Sequence, residues 1–304
     1  MSKKSRRQQR EVVRQQSRRA WLIAGALALG SLAVLVWLLV ADASPLRTTA
    51  QAGAASLVSY KPPDLHALVV SSTDERTVTF GHHQGMLISH DGGATWKPLV
   101  GAGGKDAMGV VLPANSRTAF AAGHDVFIRS DDGGQTWSSV RSGLPGTDIH
   151  GFASSATQPN TFYAFVVGSG LFKSTDGAAS WAPLAQAPGS TMSLAATKSG
   201  TGDVLLASTM EGMARSRDGG RSWEPLRDVP AGALSAVGET VYVADRGTVM
   251  ASADGGVTWQ RRAFPRNAGL IAVAPSNTSV VYIVTDQREV WRSMDSGGAW
   301  ERVG

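Results

Sequence analysis

The stretch Ser89-His90-Asp91-Gly92-Gly93-Ala94-Thr95-Trp96 returns five more times along the chain. The copies open at Ser130, Ser174, Ser216, Ser252 and Ser293, and close at Trp137, Trp181, Trp223, Trp259 and Trp300. The closing tryptophans are 41, 44, 42, 36 and 41 residues apart. A period of this size marks supersecondary units that cannot bury their apolar faces alone, so the chain must fold as an array of them. A Ser and an Asp two residues apart can both bond the backbone of a tight turn. The glycines permit the left-handed backbone at its tip. Thr or Ser opens the outgoing strand, and the Trp buries a large ring beside it. Asp91, Asp132, Asp176, Asp218, Asp254 and Asp295 are therefore read as structural. Copy three carries Ala178 at the second glycine position, and copy six carries Ala299 in place of the Thr.

The pattern Ser-x-Asp-x-Gly-x-Thr-Trp resembles the Asp-box of sialidase-like β-propeller proteins, in which it is a structural turn. Each repeat reads as four short strands with this turn between the third and fourth. In the first repeat these are 65–71, 77–81, 85–89 and 95–99. In the fifth, Gly238-Glu239 forms a two-residue hairpin, which accounts for the shorter spacing there. Four-stranded units of about 40 residues match propeller blades. The expected fold is all-β, a six-bladed β-propeller over 64–304, preceded by one N-terminal transmembrane helix. The first blade begins on its first strand and the last ends on its fourth, so ring closure needs no swapped strand. Residues 55–60 are the alternative source of one.

The net charge of +5 is unevenly distributed. Residues 1–20 hold eight Lys or Arg and one acid, leaving 21 basic and 23 acidic residues in the remainder. The basic character belongs to the tail, so the folded part carries no signal for nucleic acid. There is no cysteine, which excludes disulfides and thiolate sites. Residues 20–41 are uncharged and long enough to cross a bilayer as a helix. The basic residues of 1–19 precede it, so the tail is expected in the cytoplasm and the repeats outside, with the chain held in the lipid bilayer. Trp21 and Trp37 suit the two interfaces. A cleavable signal peptide ending near Ala41-Asp42-Ala43 is the rival, but the apolar run exceeds the usual length. Ser17-Arg18-Arg19-Ala20-Trp21-Leu22 also resembles a twin-arginine export motif. Residues 42–63 read as a linker ending in Lys61-Pro62-Pro63.

Aligning the blades on their first strands exposes one column: His66, Met108, His150, Met192, Leu234 and Leu270. Two residues earlier stand Asp64, Asp106, Asp148, Ser190, Gly232 and Ala268. A second column, six residues before each opening Ser, holds His83, His124, Gly168, Met210, Arg246 and Gln287. The first strand starts where the second ends, so both columns should meet at one mouth of the central channel, with Arg288 nearby. Imidazole and thioether together suit copper, especially the soft Cu(I), with zinc as the other candidate ion. The expected ligands are His66, His83, His124 and His150, in an arc on one side of the ring, with Met108 or Met192 as a weak axial ligand. A hydrolase of glycans would instead need two carboxylates across a cleft, drawn from Asp64, Asp106, Asp148, Asp125 and Glu211. The structural alternative is that the columns merely repeat by descent.

Asp64-Leu65-His66-Ala67, Asp148-Ile149-His150-Gly151, His83-Gln84-Gly85-Met86 and Leu171-Phe172-Lys173-Ser174-Thr175-Asp176-Gly177 are similar to signatures of exported bacterial proteins called glycosyl-hydrolase-like on fold alone. The repeats are also similar to those of the photosystem II assembly-factor family. That second resemblance implies a non-enzymatic scaffold whose partner is a membrane protein or membrane-associated complex. A sialidase-type site would require three arginines and a Tyr–Glu pair, and only Arg246 and Arg288 fall near the mouth. The reading these features favour is a membrane-anchored, extracytoplasmic binding or assembly module.

Overall fold

In a computed structural model, residues 55–113, 116–184 and 187–304 are described. The expected tail, the helix over 20–41 and most of the linker lie outside these residues. Among the described residues, no helix is long and apolar enough to cross a membrane.

Among the described residues, twenty-four strands form six antiparallel sheets of four, each ordered as the chain runs. Blade one holds β1 (Ala67–Val70), β2 (Val78–His82), β3 (Gly85–Ser89) and β4 (Lys97–Pro98). Blade two holds β5 (Ala107–Val111), β6 (Ala119–Gly123), β7 (Val126–Ser130) and β8 (Ser138–Ser139). Blade three holds β9 (Ile149–Ser154), β10 (Phe162–Val166), β11 (Gly170–Ser174) and β12 (Ala182–Pro183). Blade four holds β13 (Thr191–Ser199), β14 (Gly202–Thr209), β15 (Gly212–Ser216) and β16 (Glu224–Leu226). Blade five holds β17 (Ala233–Val237), β18 (Thr240–Asp245), β19 (Thr248–Ser252) and β20 (Gln260–Arg262). Blade six holds β21 (Ala268–Ala274), β22 (Asn277–Thr285), β23 (Val290–Ser293) and β24 (Glu301–Arg302). The fourth strands are shorter than the sequence predicts. They are two or three mostly exposed residues, because only one side of an outer strand has a partner. Val237 pairs with Thr240, so Gly238 and Glu239 form the expected two-residue hairpin.

The core lies between blades. Alternate residues of one strand face opposite neighbours. Ala67 packs toward blade two with Ala107, Ala121 and Trp137. Its neighbour Leu68 packs toward blade six with Leu270, Tyr282 and Val284. Both faces of the second strands are thus covered, which is why β2, β6 and β10 are buried throughout, β2 with Thr79 and His82 among its buried residues. Each box tryptophan fills the groove against the preceding blade: Trp96 with blade six, Trp137 with blade one, Trp300 with blade five.

The boxes repeat one hydrogen-bond scheme. Ser89 Oγ donates to Asp91 Oδ1 and accepts from Gly93 N, while Asp91 accepts from Thr95 N and Thr95 Oγ1. The other five repeat the serine part of it. Copy three keeps the turn with Ala178 in the left-handed region at φ 67°. Copy six keeps the bond from Ala299 N but has no hydroxyl to offer Asp295.

The ring closes without a swapped strand. The segment read as the end of the linker is packed on the propeller instead. Ala55 exchanges two backbone hydrogen bonds with Trp96. A single helical turn, α1 (Leu57–Tyr60), is capped by Ser56 and drives Leu57 into the seam between blades one and six. Leu57 explains the packing: its apolar side chain is fully buried in the core that blades one and six share. Tyr282 Oη donates to Glu75 O across the same seam.

Candidate functional site

The mouth is built by the turns that join the second strand of a blade to its third, together with the starts of the innermost strands. The second column occupies the two-residue turns after β2, β6, β14 and β18, where Asp125 and Arg246 take positive φ. The first column sits at the start of the innermost strands. His66 N donates to Gly81 O, and a bridge joins His124 to Asp148, so the two columns meet. The channel behind them is a cavity of about 280 Å³ lined by His66, Met108, His150, Leu194, Leu234 and Leu270, among others.

His66, His83, His124 and His150 form a continuous arc. Ring centroids are 5.5 Å apart from His66 to His83, 6.4 Å from His83 to His124, and 5.1 Å from His124 to His150. The four nitrogens do not share one centre, contrary to a single four-histidine site. They divide into two groups, each joined by an aspartate: Asp64 with His66 and His83, and Asp148 with His124 and His150. His66 and His83 both come from blade one, while His124 and His150 meet at the junction of blades two and three. Asp106 bridges the groups. Its Oδ1 lies 2.7 Å from His66 Nδ1, and its Oδ2 lies 3.1 Å from His83 Nδ1 and 2.7 Å from His124 Nδ1. Its side chain is only 12% exposed, so these imidazoles replace most of the water it would otherwise hold. Asp64 Oδ1 accepts from His83 N at 2.7 Å and fixes that turn.

The second group is the tighter one. His124 Nε2 and His150 Nε2 are 3.0 Å apart. Asp148 Oδ1 lies 3.3 Å from the first and 3.1 Å from the second. That oxygen is buried and hydrogen-bonded to neither. His124 Nδ1 is hydrogen-bonded to Asp106 Oδ2, which assigns the proton to Nδ1 and leaves the Nε2 lone pair facing His150 and Asp148.

The other residues named from the sequence have different surroundings. Met108 lines the channel wall. Met192 and Met210 stand at the mouth on blade four, 42% and 81% exposed, outside both histidine groups. Arg246 is exposed at the turn after β18. Arg288 reaches the mouth, but its guanidinium donates to the carbonyls of Pro62 and Pro63 at 2.8 and 3.0 Å, which makes it a clamp on the entering chain. His82 is buried against Phe80 and Tyr60, and that burial lowers its pKa. His90 lies on the opposite, Asp-box side, bonded to Thr77. Asp125 accepts from Thr147 Oγ1, and Glu211 is bonded to Ser190. The sequence put the aspartates two residues before the histidines but did not join them to the histidine set. That i, i+2 spacing, which puts both on one side of an extended chain, was the available signal.

Fold and repeats together define the class: the chain is a six-bladed β-propeller built on Asp-box repeats. The BNR/Asp-box repeat family profile matches residues 87–98 and 128–139. No curated protein matches the chain. Among solved structures, the chain is similar to the GH74 xyloglucanase of Xanthomonas campestris at 18% identity and a TM-score of 0.53, covering 79% of this chain and 45% of that one. PorZ, a surface component of the type-IX secretion system of Porphyromonas gingivalis, gives 13% identity and a TM-score of 0.54, over 79% and 32%. YCF48 of Cyanidioschyzon merolae gives 19% identity and a TM-score of 0.46, over 79% and 84%. The chain thus spans less than half the length of the xyloglucanase. At these identities the likeness to the xyloglucanase and to PorZ is one of fold, which hosts an enzyme and a secretion-system component alike.

Proposed function

We propose that this propeller is a non-catalytic binding module. Residues 20–41 hold it outside the cytoplasmic membrane, and its channel mouth receives a protein partner associated with that membrane. One observation carries the reading: four of the five mouth carboxylates are already hydrogen-bonded by neighbouring groups. Asp106 is hydrogen-bonded by His124, Asp64 by the His83 backbone, Asp125 by Thr147 and Glu211 by Ser190, while Asp148 Oδ1 faces His124 and His150 without a hydrogen bond. Glycoside hydrolysis needs one carboxyl to give a proton and another to face a sugar or a water across a cleft. Four of the five are spent on holding the rim in shape, which leaves Asp148 without a second free carboxyl across a cleft. The same rim offers a partner a polar half on blades one to three and the exposed thioethers of Met192 and Met210 on blade four. Methionine at a surface adapts to an apolar partner at low cost.

The test uses the full chain in its membrane. A photo-crosslinking residue placed at Met210 or Gln84 should give a discrete adduct, and one placed at Thr95 on the opposite face should give none. Fractionation should leave the intact chain in the membrane pellet after an alkaline wash. Turnover of a panel of β-glycosides that disappears in Asp148→Asn or Asp64→Asn would replace this reading with the hydrolase one.

A further inference from the structure

The second histidine group has the dimensions of a coordination site. A triangle with edges of 3.0, 3.1 and 3.3 Å has a circumradius of about 1.8 Å. An ion about 1 Å above its plane therefore lies about 2.0–2.1 Å from all three atoms, the length of zinc bonds to imidazole and carboxylate. The angles at that ion are about 94–107°, close to the faces of a tetrahedron. Two imidazole nitrogens and one carboxylate oxygen form a borderline donor set, which suits zinc better than the hard cations magnesium and calcium. No thioether belongs to it, so the expectation of a methionine ligand and of a soft ion does not carry over.

The surroundings support the same assignment. A single shared proton can satisfy one of the three contacts, and Asp148 Oδ1 is left buried with no hydrogen bond while it faces both nitrogens. Asp106 Oδ2 accepts the Nδ1 proton of His124 at 2.7 Å. This is the carboxylate–imidazole support that orients metal-binding histidines and strengthens their donor nitrogen. The backbone also sets the site in place. His124 and Asp148 are joined by a β-bridge, and His150 follows at the start of β9, so all three ligands come from the junction of blades two and three. The His124 and Asp148 side chains remain partly exposed, so the side of the triangle toward the mouth is open to solvent.

We propose that His124 Nε2, His150 Nε2 and Asp148 Oδ1 bind one zinc ion, with Asp106 as the positioning residue. The fourth coordination position then faces the mouth, open to water or to a donor group of whatever docks there. The Asp64–His66–His83 group is not part of this site. Its contacts through Asp64 are longer, at 3.4 and 3.6 Å, and its histidines turn Nδ1 toward Asp106.

The test is a zinc titration of the full chain, purified without a histidine tag in mild detergent and treated with a chelator. One equivalent of Zn²⁺ should bind, and Mg²⁺ should not compete. His124→Ala, His150→Ala and Asp148→Asn should each weaken binding by about 100-fold or more, and Asp106→Asn by about 10–100-fold. Co²⁺ in place of zinc should give the intense visible absorption of a four-coordinate site, weakened or shifted in Asp106→Asn while circular dichroism is unchanged. The double variant His66→Ala/His83→Ala should keep the equivalent of zinc. Failure of the folded wild-type chain to take up zinc would overturn the proposal. So would uptake of copper alone, zinc binding indifferent to His124→Ala and His150→Ala, or loss of binding through His66 and His83 instead. None of these results depends on finding a partner, so the binding-module reading stands or falls separately.

Discussion

Asp132→Ala in the second box tests how much each turn contributes to the ring. The substitution removes four hydrogen bonds. Ser130 Oγ donates to Oδ1 at 2.7 Å, Gln135 N and Thr136 N to Oδ1 at 2.9 Å, and Thr136 Oγ1 to Oδ2 at 2.6 Å. A sheltered bond to an ionised acceptor contributes about 1.5–3 kcal/mol. Water reaches this turn, so the four together are discounted to about 2–4 kcal/mol. In a domain of this size that lowers Tm by about 5–15 °C. Thr136→Val removes one of the four and should cost about 0.5–1.5 kcal/mol. The effect has a pH signature. Burial works to raise the Asp132 pKa, but the bonds from Thr136, Ser130 and Gln135 outweigh it and hold the carboxyl down to about 2, against 3.8 for the free group. The folded value is the depressed one, so the stabilisation is complete well above 3.8 and is lost as pH falls toward 2. Thermal melts from pH 7 to 3 should show a constant gap between wild type and Asp132→Ala down to about pH 5 and a narrowing gap below about 4. An unchanged Tm at neutral pH, or a gap that stays constant to pH 3, would refute the account of the box as a charge-assisted turn.

Four further outcomes are expected. Trp96→Phe should cost about 1 kcal/mol more than Trp300→Phe in urea unfolding, because Trp96 Nε1 donates to Gly93 O at 2.8 Å while Trp300 Nε1 is buried without a partner. Gly123→Ala would drive its methyl into the Asp106 carbonyl oxygen, so it should lower Tm and also weaken zinc uptake by displacing the Asp106–His124 pair. Arg288→Ala frees the carbonyls of Pro62 and Pro63, and amide exchange at Leu57–Tyr60 should accelerate while the blades keep their protection. Burial depresses the His82 pKa, so stability should fall as pH drops below about 6.5, and His82→Phe should flatten that part of the profile.

The architecture was legible because the repeated turn reports local chemistry. Ser, Asp and Gly at fixed offsets make the same bonds wherever they occur, so six copies imply six units irrespective of their neighbours. The departures were legible too: Ala299 lacks the hydroxyl that Thr95 gives Asp91, and the structure shows that bond missing. What depends on packing between distant segments was not legible. Residues 55–63 have the composition of a linker. Leu57 is buried only because blades one and six, far apart in sequence, leave a seam of its size. Arg288 reads as a charged mouth residue until the chain entering at Pro62 is brought beneath it.

The histidine arc stands between these cases. Column alignment places His66, His83, His124 and His150 at one mouth, since the period fixes which end of a strand each occupies. It cannot divide them, because the division depends on angles between neighbouring blades. Those angles bring His124 from the turn after β6 to within 3.0 Å of His150 at the start of β9, and leave His83 beside His66. The aspartates then decide the chemistry. Asp106 lies between the groups and takes a contact from each, so it serves as the shared orienter. Asp148 belongs to one group and turns an oxygen toward both of its nitrogens. Blade four breaks the series: Ser190 and Met192 stand where Asp148 and His150 stand one blade earlier. A donor set of this kind therefore needs a turn histidine on one blade and the Asp-x-His pair on the next, which blades two and three supply and blades one and two, with Met108 after Asp106, do not. Grafting Ser190→Asp with Met192→His and Gly168→His onto blades three and four should create a second zinc equivalent if blade geometry, rather than an accident of one turn, builds the site. A graft that folds normally and still binds a single equivalent would show that the bridge between His124 and Asp148 is the decisive element.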